Sequence, residues 1–581
     1  MLSSLDVSSV SPYAFAPYEW VVATASFSVN PGAVQNRRIV DLNRAPHDPE
    51  GFVRFDADVR ILRPQNGDHG RLLVVVPNRG LTGGVPFSLD TPLAWDPAGA
   101  PHPGDAFLLE RGWTIAWCGW QWDVLRDQGF LGLSAPVADV EAGWLRVEFR
   151  PDELTANRPL SDSQFFFQFA DIPTADVADP DATLTVRTTP LGQKELIPRN
   201  EWRFSSPTRV ELDGGFQPFH FYELVYRSSF APVVGAGLLA VRDFTSHLRG
   251  GYDGAFAYGV SQSGRFLRQF LFDGLNIDEG DHKVFDGVFG HIASARRGEF
   301  NMRFGQPSLT HPLTPGYGPP YDTASLLTRQ RELGSVPKIF FTNSAWEYWR
   351  GDGALVHQDA ETGADLPEDP DARTYLLSGT DHIGAAPIKE MFPVANPVHV
   401  LDPTPVLRAL LVQLEQWACD DVAPPPSRVP RRSDGSAVGR DHVVRMFKTG
   451  HLPDLAALPW TPDLDPDSER WPLEVGEPRV ALVSAVGADG NEVAGVRLPE
   501  VAVPAAAYTG WNPRRHVDGL PDVLYEFVGS RLPLQSGGTP MEETAREAAT
   551  RAAAAELVAG RFLLPGDLDR AVAVALRYFD A

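Results

Sequence analysis

Hydrophobic residues along this chain fall into two kinds of pattern. In two blocks they form short unbroken runs separated by Gly- and Pro-rich stretches; between the blocks they alternate with polar residues. An unbroken apolar run between turn signals predicts a strand buried on both faces, and alternation predicts a strand with one face in water. The first block predicts a strand over Arg71–Pro77, a short helix over Ala106–Arg111 and a strand over Trp113–Cys118. The rhythm stops near 125. Alternating pieces such as Trp144–Phe149 and Thr183–Val186 then predict strands of an insertion. After 230 the rhythm resumes with a helix over Val234–Leu248, a strand over Ala255–Gly259 and a helix continuing through Phe266–Phe272. Strands over Val284–Ile292, Lys338–Thr342 and Arg373–Leu377 follow, and a helix over Leu407–Cys419 closes the block. Such strand–helix alternation predicts a mostly parallel sheet with helices on both faces.

The two ends differ from this core. Residues 1–65 carry scattered apolar stretches and predict a β-rich N-terminal layer. The core is expected over 66–124 and 221–422, with residues 125–220 as an insertion or cap. A C-terminal extension over 423–581 opens with the Pro-rich tract at Ala423–Pro426. Within it, Ala488-Asp489-Gly490-Asn491 between Arg479–Val486 and Glu492–Val503 predicts a hairpin. Thr539, Pro540 and Glu542 carry N-cap, first-turn proline and capping-box chemistry for a terminal helix.

Composition narrows the possible functions. At roughly 150 residues per domain, 581 residues allow two to four domains, or one large domain with insertions. A net charge of −24 repels phosphate backbones and anionic headgroups, which argues against nucleic acid and membrane partners. Two cysteines, Cys118 and Cys419, make neither a disulfide framework nor a Cys-based zinc site. No basic residue precedes Arg37, so no secretory signal is expected, and the longest apolar run, Ala231–Val241, is too short to span a bilayer. The expected location is the cytoplasm.

The chemistry concentrates in Tyr258-Gly259-Val260-Ser261-Gln262-Ser263-Gly264-Arg265, between a predicted strand and helix. A nucleophilic serine at such a turn needs small residues two before and two after it. Ser261 has Gly259 and Ser263 there, whereas Ser263 would have Arg265, which does not fit. Serine needs a base and the base an orienting acid. His382 follows the last core strand. Two acids follow the strand before it, Glu347 and Asp352; Glu347 is favoured because it lies closer to the strand end. The order is serine, acid, histidine. Oxyanion donors are expected from the Gln262 N–H and from the Asn78–Gly84 loop, Arg79 and Gly80 among its residues. Trp120 and Trp346 lead two aromatic clusters near the expected strand ends and are candidates for substrate contact.

These motifs resemble the α/β-hydrolase superfamily. More narrowly, the chain is similar to a large family of esterase-like "alpha/beta hydrolase domain" proteins with a G-x-S-Q-S-G-R elbow. The resemblance rests on Val76–Gly80, Gly119–Gln121, Ala240–Asp243, Gly259–Arg265, Glu347–Trp349 and the stretch from Asp489–Asn491 through Thr509–Asn512. It implies an α/β-hydrolase core, Ser261 as nucleophile, Glu347 as acid and His382 as base. It also implies a small-molecule ester as substrate.

Other patterns are weaker. Gly235-Ala236-Gly237-Leu238-Leu239-Ala240 fits a dinucleotide fingerprint, but it opens inside a predicted helix rather than after a first strand. Asp489–Glu492 lacks the alternating oxygen ligands of a calcium loop. His282 and His291 have no partner at helical spacing, so neither metal nor cofactor is expected. Acyl transfer would use the same three residues. A binding protein on an inactive hydrolase fold is the reading from another class, and the intact residue order argues against it.

Overall fold

Nine strands of one sheet run through the chain in the computed structural model, which describes residues 1–67, 70–92, 99–161, 168–309, 320–462, 476–535 and 542–579. They are β1 (Leu2–Pro12), β2 (Tyr18–Val29), β3 (Val53–Pro64), β4 (Leu72–Val75), β5 (Thr114–Cys118), β6 (Ala255–Val260), β7 (Gly287–His291), β8 (Lys338–Ser344) and β9 (Ala372–Leu377). Their spatial order is β1-β2-β3-β5-β4-β6-β7-β8-β9, and a short tenth strand, Leu133–Ser134, pairs with β3. From β5 to β9 all neighbours are parallel. The N-terminal strands are antiparallel, and β3 joins β5 with Val59 opposite Cys118. The β-rich N-terminal segment therefore extends the core sheet rather than forming a layer of its own.

Period-two geometry explains the unbroken apolar runs, because successive side chains enter opposite faces. Val74, Ala257, Val288 and Ile339 join one core with Leu238 and Phe244 of α1 (Ala236–Arg249) and with Phe266 and Phe270 of α2 (Gln262–Phe272). Their neighbours Leu73, Phe256, Phe289 and Phe340 join the opposite core with Leu410, Leu411 and Leu414 of α3 (Thr404–Asp420). Both faces are covered, so the middles of these strands are apolar, and polar residues such as His291 and Thr342 enter toward the C-terminal ends. Among the described residues no helix is long and apolar enough to cross a membrane.

Four predicted elements differ. Ala106–Arg111 is a set of turns, not a helix. Ala106 stands at φ +58°, and one α-helical bond, from Glu110 N–H to Ala106 O at 2.9 Å, is followed by Gly112 at φ +71°. The strand expected over Val284–Ile292 is confined to Gly287–His291. In the C-terminal hairpin the turn forms, with Gly487 N–H on Asn491 O at 2.8 Å, and pairing continues through Val486 opposite Glu492 to Val493 N–H on Ala485 O at 3.0 Å before the arms diverge. Leu482–Ser484 pairs with Ala437–Gly439, and Pro499–Ala502 is helical. The helix expected from Thr539 begins at Glu543 and is followed by another over Leu568–Arg577; Thr539 and Pro540 lie outside the described residues.

The insertion builds two small antiparallel sheets, of four and three strands. Its four-stranded sheet includes Phe221–Ser228, paired with Gly143–Phe149 and Thr183–Arg187, so it reaches past residue 220. The C-terminal extension closes the open edge of β9: Leu376 N–H donates to Arg428 O at 2.9 Å and Ser378 N–H to Val496 O at 3.0 Å. An unpaired sheet edge invites association, and this contact removes it.

Sheet order also locates the crevice. From β4 the chain runs to β5 on one side, while β6 lies on the other. Loops leaving the C-terminal ends of β4 and β6 therefore part and open a cleft at the switch point.

The glycine pattern at 235–237 serves packing. A Cβ on Gly237 would sit 2.1 Å from Trp120 O, so α1 can approach the β5 loop only with glycine there. Gly237→Ala should thus destabilise the fold by about 1–3 kcal/mol in urea unfolding, although alanine is the better helix former. A gain in stability would refute the close approach.

Candidate active site

Ser261 sits at the switch point, on the turn between β6 and α2, at φ +57° and ψ −113°. A non-glycine residue in that region costs on the order of 1–3 kcal/mol and needs a firmly held surround. The Ser261 N–H donates to His291 O at 2.8 Å. A Cβ on Gly259 would lie 2.4 Å from Ser263 O and 2.9 Å from Gly264 N, so the strand crosses the helix start almost backbone to backbone. Ser263 fits because its Oγ folds back, accepting from Val260 N–H at 2.9 Å and lying 3.0 Å from Val260 O.

His382 and Glu347 meet this serine. His382 Nε2 is 2.7 Å from Ser261 Oγ, and His382 Nδ1 is 2.5 Å from Glu347 Oε1. Glu347 is fully buried at the third position of the short helix Ala345–Arg350. Its other oxygen, Oε2, accepts the Ser344 N–H at 2.7 Å and the Ser344 hydroxyl at 2.6 Å. Helix capping thereby fixes the carboxylate that faces the imidazole. Asp352 is engaged elsewhere, with Arg350 Nε at 2.6 Å and Ser294 Oγ at 2.5 Å. Burial holds the His382 pKa below its usual 6.5; Glu347 opposes the shift, and Arg350 and Arg265 add to it.

The other expected site residues divide. Gln262 is the first residue of α2, so its N–H makes no intrahelical bond. Its side chain ties two loops together: Oε1 accepts the Arg79 N–H at 3.2 Å, and Nε2 donates to Pro307 O. The Arg79 N–H is thus already engaged. Gly80 stands at φ +75°, and its Cβ would lie 2.9 Å from Phe130 Cβ, so glycine answers loop packing there rather than approach to a substrate. Trp120 and Trp346 are buried away from the cavity. Trp120 donates to Pro77 O at 2.7 Å, and Trp346 packs its ring beside His382 at 5.4 Å. Both support the site's walls from behind. Among the described residues no group of three or more His, Cys, Asp or Glu side chains is placed to hold a metal ion. His291 is buried with Nδ1 2.8 Å from Thr342 Oγ1.

Ser261 and His382 open into a cavity of about 490 Å³, walled by Leu81, Tyr258, Ile292 and Ile388 among others. Among the described residues, none of its lining comes from 125–220.

A family model described as "Alpha/beta hydrolase domain" matches residues 236–573, more than half of the chain. The chain belongs to this family. The match covers α1 through most of the C-terminal extension and leaves β1 to β5 outside it. No curated protein matches the chain. Among solved structures, a glucuronoyl esterase from Solibacter usitatus is similar at 11% identity, covering 61% of this chain and 70% of that one, with a TM-score of 0.26. A second, from Teredinibacter turnerae, is similar at 8% identity over 59% of this chain and 61% of that one, with a TM-score of 0.21. Brefeldin A esterase, a bacterial homologue of human hormone sensitive lipase, is similar at 11% identity over 56% of this chain and 60% of that one, with a TM-score of 0.17.

Two parts of this α/β-hydrolase site escaped sequence reading. Phe527, from the C-terminal extension, accepts the backbone N–H of His382 on its carbonyl at 3.0 Å, and its ring centroid lies 4.7 Å from the imidazole. Nothing local in the sequence marks it, since its partner lies in another part of the chain. Asp381 anchors the histidine loop. It accepts from Gly384 N–H at 2.9 Å, Gly529 N–H at 3.0 Å and Lys389 Nζ at 2.8 Å, and the side chains of Asp381 and Lys389 are both fully buried. Its place directly before His382 is the available signal.

Removing one partner of a buried pair strands the other charge, at about 3–5 kcal/mol. Asp381→Ala should lower unfolding stability by that amount. Lys389→Met should cost less than Asp381→Ala, because the Asp381 carboxylate keeps its backbone donors.

Proposed function

We propose that this chain is a serine hydrolase that cleaves a carboxylic ester through an acyl-enzyme. The relay from Ser261 Oγ through His382 to Glu347, with contacts of 2.7 and 2.5 Å, carries this reading. Ser261 Oγ attacks the ester carbonyl while His382 Nε2 takes its proton. Glu347 holds the Nδ1–H and stabilises the imidazolium. The oxyanion is held by the Gln262 N–H, together with the Asn78–Gly84 loop. On collapse of the tetrahedral intermediate, His382 protonates the departing alkoxide. Water, deprotonated by His382, then attacks the acyl-enzyme and releases the acid. The apolar cavity supports an apolar group on the substrate.

A fluorophosphonate probe should label wild type and fail to label Ser261→Ala, which should lose about 10³-fold or more in kcat on a chromogenic ester. Ser263→Ala should be much milder, since that hydroxyl bonds only to Val260 of the turn. Equal losses in the two variants would move the nucleophile.

Glu347→Gln should lower kcat by roughly 10²–10⁴-fold, because an amide neither fixes the tautomer nor stabilises imidazolium. Asp352→Asn acts through its buried pair with Arg350, so it should appear in unfolding stability before it appears in kcat. A reversal of the two would transfer the acid's role to Asp352.

The base works as neutral imidazole, and burial lowers the His382 pKa from 6.5. Neutral imidazole therefore persists to lower pH than usual. The acidic limb of the kcat/KM profile should lie below pH 6.5; a limb above that value would contradict the buried setting.

A further inference from the structure

A second cleft meets the apolar cavity at Ser261. Arg79, Arg265, Arg296 and Arg297 line it, with Glu299 as the acidic residue among its lining. In a chain of net charge −24, four arginines to one glutamate in a single lining are a local inversion of sign. Glu299 is partly committed already, its Oε2 accepting the Gln306 N–H at 2.6 Å. Arg297 lies over the rings of Phe272 and Tyr321, at 4.8 and 5.3 Å. Arg265 is four residues past Ser261 on α2 and so shares its helix face; its N–H bonds to Ser261 O at 2.9 Å. Among the described residues its guanidinium has neither a hydrogen-bond nor an ion-pair partner, and the like charges on Arg350, Arg296 and Arg79 each bear on it more strongly than the opposite charge on Asp352. A partly buried guanidinium without a partner beside a nucleophile is the opposite of what folding alone favours.

We propose that this cleft is an anion subsite and that the substrate carries a carboxylate on its acyl half, as in the monoester of a short dicarboxylic acid. The proposal rests on the hydrolase reading above and names its substrate class. The geometry assigns the halves. His382 lines the apolar cavity and not the arginine cleft, and it must protonate the leaving oxygen. The alcohol therefore leaves into the apolar cavity, and the acyl remainder lies toward the arginines. Ser261, Arg79 and Phe527 line both spaces, so one substrate can occupy both at once. The cleft holds about 30 Å³, against roughly 10–15 Å³ for one water by the same measure, which suits a carboxylate rather than a bulkier anion.

Three esters test this by butanol or acid release: monobutyl succinate, its neutral analogue butyl methyl succinate, and the butyrate ester of 4-hydroxybutanoate, whose carboxylate sits on the alcohol. Wild type should show kcat/KM about 10- to 100-fold higher for monobutyl succinate than for the neutral diester, as a charge-assisted contact supplies. The third ester should gain no such advantage. Arg265→Gln should bring the ratio of the first two close to one, and Arg265→Lys should keep part of it. A wild-type ratio at or below one, with fluorophosphonate labelling and neutral-ester hydrolysis intact, overturns the anion subsite and leaves the hydrolase reading standing. Preference for the third ester overturns the assignment of halves. Absence of labelling and of hydrolysis of all three overturns the hydrolase reading and this proposal with it.

Discussion

The crossing of β6 over the start of α2 is the constraint on which the site depends. Gly259 meets the backbone of Ser263 and Gly264 at distances no other residue allows. That contact forces a turn too tight to relax, which lifts Ser261 to a φ of +57° and out of the sheet. The strain is tolerable because the turn is held on both sides, by His291 O through the Ser261 N–H and by Ser263 folding back on Val260. The switch of strand order between β4 and β6 then decides what the turn faces.

Buried charge is the second organising element. Glu347 has no exposed surface, and a buried carboxylate needs each oxygen satisfied. One oxygen is used by the cap at Ser344 and the other by His382, so structural and proposed catalytic roles share one group. Asp381 and Lys389 repeat the logic one residue away, fixing the loop rather than the ring. Asp352 is withdrawn from competition by Arg350 and Ser294. Three carboxylates near one histidine are thus sorted by their partners, in surroundings where each pairing is strong because water is excluded.

The core strands were legible because burial on both faces leaves an unbroken apolar run, and the elbow because a tight turn demands small residues at fixed offsets. Glu347 was favoured over Asp352 on distance from the strand; the stronger signal, the Ser344-to-Glu347 capping spacing, was present in the sequence. The turn at Ala106–Arg111 read as a helix because the apolar spacing suits one, while the positive φ at Ala106 is a tertiary effect. Trp120 and Trp346 lie near strand ends as expected, but sequence position does not say which side of a loop a ring faces. Gly80 reads in the sequence as a glycine for substrate approach, whereas the neighbour a Cβ there would meet is Phe130.

Phe527 shows why the C-terminal extension cannot be treated as an appendage. Its carbonyl holds the backbone N–H of His382, and its ring lies against the imidazole. The same extension supplies Arg428 and Val496 to the edge of β9, the strand that delivers the histidine loop. Gly529 N–H then reaches Asp381 at 3.0 Å. The histidine loop is therefore held from the sheet side by β9 and from outside by residues far along the chain. The family match running through residue 573 agrees with this arrangement, in which the core and its C-terminal partner form one hydrolase unit.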